Sequence, residues 1–390
     1  MAKGKRNKAP GKRRATLMLS MLLLSGGLMT AGPAEADSPS GRQITAYTEV
    51  TKWGQMPLRF TVRGQNLSED IGAEFFSIAG DAAAWGTAST HSFSCGVKEV
   101  IPEADGWSLV PDPFPDKYFY VRRLTVSCEA DPALGFTLAD IGQTVTETAD
   151  LFTLWESENR MIHAQVYQPE TVEPLPVVVV FHGYGDTANL LTYRTAVDWA
   201  EPAHQASRPC TVIAPVIDDG MYIGDSTRSK IFTQVLSWID GMIQAGTADP
   251  DRIYLMGNSF GGMSAIEMAE QHPDRIAAVM ALCPALNYSR TGMASLPKMV
   301  SVPLYIAQAE KDETIPSSVG MQAAEQLRAA GGDVTLKIYS DAEMEAAGAV
   351  LGSENTYSFH HVELALLENQ DYAEWLFSHR LAQAEPDAQP

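Results

Sequence analysis

Three features of this 390-residue chain predict a doubly wound, mostly parallel α/β sheet preceded by a small all-β sandwich. The first is Val177-Val178-Val179-Val180-Phe181, an uninterrupted apolar run of the kind a strand needs when both its faces are covered. The second is the regular exchange of strand-like and helix-like segments that follows this run to the end of the chain. The third is that residues 37–150 carry short β-favouring runs between Gly, Pro and Asp turns, with no helical period among them.

The first 36 residues stand outside either unit. Lys3, Lys5, Arg6, Lys8, Lys12, Arg13 and Arg14 precede an apolar stretch at 17–28, and Ala34-Glu35-Ala36 closes it. That order of basic, apolar and small-residue segments is a secretory signal, predicted to be cut after Ala36. Ser20, Ser25, Gly26 and Gly27 interrupt the apolar stretch, which is too short for a stable membrane span. Arg13-Arg14 matches a twin-arginine signal only in part, so ordinary secretion is the preferred route. The segment holds seven of the chain's 28 Lys and Arg but, of its 48 Asp and Glu, only Glu35, so the net charge falls from −20 to −26 on its removal. Such a surface repels nucleic acid and anionic headgroups and suits neutral or cationic ligands.

Two domains are expected in the remainder, 37–150 and 151–385. In the first, strands are read at 44–50, 58–63, 74–78, 118–128 and 144–148, and Cys95 and Cys128 are expected to form a disulfide in an exported chain. In the second, residues 152–168 read as a pair of strands. Further strands are expected at 177–181, 211–215, 253–256, 276–283, 302–307 and 334–339, with helices at 226–245, 263–271, 320–330 and 364–379.

Chemistry enters at Gly257-Asn258-Ser259-Phe260-Gly261-Gly262, between the strand at 253–256 and the helix at 263–271. A serine presented on so tight a strand-to-helix turn needs glycines on both sides, and the following helix N-terminus favours negative charge on a substrate oxygen. Ser259 is the candidate nucleophile. Its hydroxyl requires a base to take the proton and an acid to orient that base, in the chain order nucleophile, acid, histidine. Asp312, on the loop after the strand at 302–307, is the candidate acid, with Glu310 and Asp341 as weaker rivals. Of the histidines after Ser259, His272 closes the helix behind the turn and His379 lies in the last helix, which leaves His360 or His361 as base. Across the sheet, Phe181-His182-Gly183-Tyr184-Gly185-Asp186 ends the first buried strand, and its backbone N–H groups can converge with that of Phe260 on a carbonyl oxygen. His182 is read as a brace for that turn.

These segments resemble the α/β-hydrolase superfamily and, within it, secreted esterases related to polyhydroxybutyrate depolymerases and feruloyl esterases. The resemblance spans roughly 151–380 and rests on His182-Gly183-Tyr184-Gly185, the Ser259 turn, Asp312 and the tail 360–377. It implies a Ser259–His360–Asp312 triad with Tyr184 and Phe260 N–H groups as the oxyanion hole. His360 is preferred because the histidine in such enzymes lies some fifteen residues ahead of a Trp-Leu pair, here Trp375-Leu376. Relatives often carry Trp three residues after that histidine; Glu363 stands there in this chain, which keeps His361 open. Residues 44–50, with Trp53-Gly54, are similar to the immunoglobulin-like domain that precedes some of these enzymes.

The expected function is that of a secreted serine carboxylesterase acting on small or polymer-linked esters. A serine peptidase would use the same triad, and a protein with an inert hydrolase fold could bind glycan or protein through the sandwich, where Trp53, Trp85 and Trp107 are read as core or loop residues before a sugar platform. Cys210 and Cys283 are expected at opposite ends of the sheet. No cofactor is expected, since no His, Cys and carboxylate spacing matches a metal site and no Gly-rich loop carries a phosphate-binding Lys.

Overall fold

The computed structural model describes residues 41–52, 54–83, 90–114, 120–157, 163–184, 194–218, 220, 224–351 and 358–381. The signal segment, Trp53, Trp85, Gly185 and Asp186 lie outside the described residues.

The N-terminal part is two sheets with one core. Strands β1 (Gln43–Thr51), β2 (Gly54–Arg63), β3 (Phe76–Ala83), β4 (Thr90–Cys95), β5 (Val97–Glu103), β6 (Gly106–Pro111), β7 (Tyr120–Cys128), β8 (Phe136–Thr137) and β9 (Gln143–Thr146) arrange in the orders β5-β6-β2-β1-β9 and β4-β3-β7-β8. Ile44, Phe60, Val62, Ile78, Trp107, Leu109, Leu124 and Val126 close the space between them. Trp107 is fully buried against Phe76 and Phe136, so its place is the core. The hairpin β5–β6 escapes a search for long apolar runs, yet Asp105-Gly106 marks its turn. Gly106 has φ +145, and a Cβ there would meet Val62 O at 1.9 Å.

The expected disulfide does not form. Cys95 and Cys128 are both thiols, on β4 and β7, and β3 runs between those strands. With neighbouring strands about 4.8 Å apart, two strands' separation exceeds the reach of a disulfide. Burial pushes the Cys95 thiol up to about 11.

From β10 onward the chain forms one eight-stranded sheet. Strands β10 (Thr153–Glu156), β11 (His163–Tyr167), β12 (Leu175–Phe181), β13 (Thr211–Val216), β14 (Ala248–Asn258), β15 (Ala278–Leu282), β16 (Leu304–Ala309) and β17 (Val334–Tyr339) follow the order β10-β11-β13-β12-β14-β15-β16-β17. The first two pairs, β10–β11 and β11–β13, are antiparallel and the other five are parallel. All seven residues of β12 are buried. The helices are α1 (Glu147–Asp150), α2 (Arg194–Ala200), α3 (Pro202–Ser207), α4 (Asp225–Gln244), α5 (Phe260–Gln271), α6 (Gly292–Ser295), α7 (Ser317–Ala329), α8 (Asp341–Ala346), α9 (Glu363–Leu366) and α10 (Asp371–Phe377). They cover both faces of the sheet: α4, α5 and α7 pack over Val177, Val179, Leu255 and Ile306, whereas α2 and α10 pack over Val178, Val180, Tyr254 and Met280.

The last helix is the main departure from expectation. One helix at 364–379 becomes α9 and α10 with a break between them, and His379 lies just past the end. The Asn369 side chain accepts from Asp371 N at 3.0 Å, a local bond that competes with a continuing helix. Among the described residues, two sets of polar contacts join the sandwich to the larger sheet, beside Val50 in the core around α2. Arg194 Nη1 donates to Val50 O at 2.6 Å while its Nη2 lies 2.7 Å from Asp198, and Lys52 Nζ reaches Ala347 O at 3.2 Å and pairs with Glu368. No helix among the described residues is long and apolar enough to cross a membrane.

Candidate active site

Ser259 occupies the turn from β14 into α5 at φ 56 and ψ −118, a region that side chains rarely adopt. Three backbone bonds hold it there: Ser259 N donates to Leu282 O at 2.8 Å, and Ser259 O accepts from Met263 N at 3.1 Å and Ala285 N at 3.0 Å. The flanking glycines have a steric cause. A Cβ on Gly257 would lie 2.5 Å from the Gly261 backbone, and one on Gly261 would lie 2.1 Å from Phe181 O. The end of β12, the turn and the first turn of α5 thus close on each other with no room for a methyl group.

Asp312 lies beyond β16, where its side chain is fully enclosed. Its Oδ1 accepts from Thr314 N and Ile315 N, both at 2.8 Å, and its Oδ2 accepts from Gln308 Nε2 at 2.9 Å. Gln308 also donates to Ile315 O at 3.0 Å, so this buried amide braces the whole loop. His360 comes to the same carboxylate from the segment between α8 and α9: its Nδ1 is 2.8 Å from Oδ2 and 3.0 Å from Oδ1. His361 does not reach Asp312. Its Nδ1 is held 2.9 Å from Glu363 Oε1. Glu313 accepts from Phe359 N at 3.0 Å and so clamps the His360 segment onto the Asp312 loop.

His182, buried at the end of β12, is engaged as a brace: Nε2 accepts from Ile217 N at 2.9 Å, and Nδ1 lies 2.7 Å from Gly183 O. Tyr184 follows it, and Phe260 is the first residue of α5. Their rings stand 5.3 Å apart, and Phe260 continues to Tyr288 at 5.4 Å. Tyr184 and Tyr288 are exposed at 38% and 45%, so two exposed rings flank Phe260, the residue after Ser259. The Tyr288 loop is tied down, because Ser289 Oγ donates to Glu267 Oε1 at 2.5 Å on α5.

Sequence spacing misses three residues of this arrangement. Gln308 and Tyr288 belong to no motif and become visible only when the loops are folded. Cys283 is the third: it follows the end of β15, close to His360 and Asp312, with one ligand-type atom from each of the three residues within 4.8 Å of the others. The expectation that the chain contains no such cluster came from spacing along the sequence, whereas these three residues converge from three separate loops. Cys210 precedes β13 and is far along the sheet from Cys283, as expected.

Residues 224–353 match the family model described as phospholipase/carboxylesterase. The chain is 28% identical over 157 residues to the quorum-quenching protein AidA of Acinetobacter baumannii (strain MDR-ZJ06), over 38% of this chain and 48% of that protein. It is 25% identical over 153 residues to NocK of Nocardia uniformis subsp. tsuyamanensis, over 36% of this chain and 41% of that protein. The chain thus spans less than half the length of these curated relatives. Among solved structures, that of a thermostable esterase superposes with a TM-score of 0.68 at 19% identity, over 87% of this chain and 99% of the other. That share exceeds the eight-stranded sheet and its helices, so the likeness extends into the N-terminal β region. The fold is that of the α/β-hydrolases.

Proposed function

We propose that the chain is a serine carboxylesterase with Ser259 as nucleophile, His360 as base and Asp312 as the group that orients it. The observation that carries this reading is the enclosed Asp312 carboxylate bonded to His360 Nδ1, at the sheet edge where Ser259 is held in a strained turn. With Nδ1 committed to Asp312, Nε2 is the nitrogen that takes the proton as Ser259 Oγ attacks the ester carbonyl carbon. The carbonyl oxygen becomes an oxyanion beside the N–H groups of Tyr184 and Phe260, where the N-terminus of α5 adds its dipole. Collapse of this intermediate breaks the bond to the alcohol, which leaves with the proton from His360. Water, deprotonated by the same Nε2, then releases the acid from Ser259.

Export through the signal segment with removal at Ala36, and an immunoglobulin-like character for the N-terminal sandwich, complete the proposal. The acidic surface suits uncharged esters, small or attached to a polymer. Hydrolysis of a short-chain aryl ester by the protein without its first 36 residues tests the reading, beside Ser259→Ala, His360→Ala and His361→Ala. The first two variants are expected to lose about 10⁴-fold or more in kcat, with His361→Ala within about tenfold of the unmodified protein. A Ser259→Ala variant that keeps its rate, or a larger loss at His361 than at His360, refutes the assignment. A faster rate on a matched amide than on the ester would favour a peptidase.

A further inference from the structure

Among the described residues only two that are not glycine have positive φ: Ser259 at 56 and Cys283 at 38. The first is explained by the nucleophile turn. The second has no part in that chemistry, and it is held in the same unfavourable region although Pro284, next in the chain, narrows its backbone choices further. Cys283 N is pinned to Ala307 O at 2.8 Å on β16, the strand that leads to Asp312, and Cys283 Sγ donates to His360 O at 3.2 Å. The strain therefore sets a nearly buried thiol beneath the Asp312–His360 pair.

We propose that Cys283 Sγ, an Asp312 carboxylate oxygen and His360 Nδ1 form a binding site for zinc(II), and that zinc bound there shuts down the active site. The donor set is one that zinc takes, with its fourth position left to water from the substrate side. Zinc–ligand distances of about 2.0–2.3 Å place tetrahedral ligands about 3.3–3.8 Å apart. One ligand atom from each residue lies within 4.8 Å of the other two, and His360 Nδ1 is 2.8 Å and 3.0 Å from the Asp312 oxygens, so zinc needs that pair to part by roughly 0.5 Å and Cys283 Sγ to come in by up to about 1 Å. Charge also balances: binding releases the Cys283 thiol proton, and the thiolate and carboxylate together neutralise the dication, which an enclosed site requires.

Inhibition follows from the tautomer. Zinc on Nδ1 displaces the proton shared with Asp312 and leaves the imidazole neutral with its proton on Nε2. That nitrogen then has no lone pair with which to receive the Ser259 proton. Loss of turnover rests on the catalytic assignment above, but binding itself does not.

Two readouts separate these claims. Cadmium(II), a thiolate-seeking substitute for zinc, is titrated into the metal-free full-length protein while the ultraviolet thiolate-to-metal charge-transfer band is followed. Zinc is titrated in parallel while ester hydrolysis is followed, each variant being compared with its own metal-free rate. The site predicts a saturable one-equivalent band that Cys283→Ser and Cys283→Ala both abolish. It also predicts zinc inhibition, reversed by a chelator, whose midpoint rises at least tenfold in both variants. Circular dichroism establishes that at least one variant is folded. No band in the unmodified protein, or an unchanged band and unchanged zinc midpoint in a folded Cys283 variant, overturns the proposal. If the protein hydrolyses no ester, the catalytic reading fails, and the cadmium band still decides whether the site exists.

Discussion

Ser259, Asp312 and His360 illustrate how different the legibility of single residues can be. Ser259 was readable because its turn forces glycine on both sides, and the 2.1 Å approach of a Gly261 Cβ to Phe181 O is the physical source of that signature. The preference for His360 over His361 rests on no steric signature, only on the spacing to Trp375-Leu376 that the family resemblance implies. Two adjacent histidines differ only in which carboxylate each meets, Asp312 or Glu363, and that depends on how the 358–362 segment is clamped by Glu313. Tyr288 was invisible for the same reason. Its exposed ring, beside Phe260, is expected to hold planar substrates: Tyr288→Ala should lower kcat/KM for an aromatic acyl ester about threefold to tenfold relative to a linear alkyl ester, measured as paired rates. Equal losses on both substrates would contradict a role in stacking.

Elements were legible where they are buried on both faces and hard to read where they are short. The apolar run at 177–181 and the segment at 211–215 read correctly because a covered strand tolerates little polarity, whereas the half-buried edge strand at 334–339 reads by the alternation of Val334, Leu336 and Ile338 with Thr335 and Lys337. Helices α2, α3 and α8 were missed, each only six or seven residues long, and the break between α9 and α10 depends on one Asn369 bond that periodicity does not register. Helix α5 is locked to α4 by a buried two-point pair, with Arg228 Nε to Glu267 Oε2 at 2.7 Å and Nη2 to Oε1 at 2.8 Å. Removing the cation leaves Glu267 enclosed without its counter-charge, so Arg228→Met is expected to cost about 3–5 kcal/mol in chemical denaturation. Adding Glu267→Leu should recover much of it. The same helix carries Glu270, whose carboxyl burial, and then Glu267 nearby, raise to about 9 from 4.5. The unfolded chain releases that proton near pH 4.5, so the stabilisation is whole below that pH and is lost as pH rises toward about 9, at up to about 1.4 kcal/mol per pH unit. Glu270→Gln should flatten the stability profile over this window; an unchanged slope would mean that Glu270 is ionised in the folded protein.

At the scale of the whole molecule, the β-rich first part and the α/β second part have different sequence patterns, since strands separated by short turns and strands separated by helices have different periods. The joint between the parts did not follow, because Arg194 to Val50 and Lys52 to Ala347 link residues far apart in the chain with no pattern between them. The cysteines were misjudged at this scale too: an export signal favours disulfides in general, but β3 between β4 and β7 keeps this pair apart. The central claim, covalent catalysis at Ser259, is tested most directly by mass spectrometry of the protein after brief exposure to a fluorophosphonate. The account predicts one adduct per chain on the peptide containing Ser259, absent in Ser259→Ala, strongly slowed in His360→Ala and formed at near-normal rate in His361→Ala. An adduct on another residue, or none while the protein is folded, would contradict it.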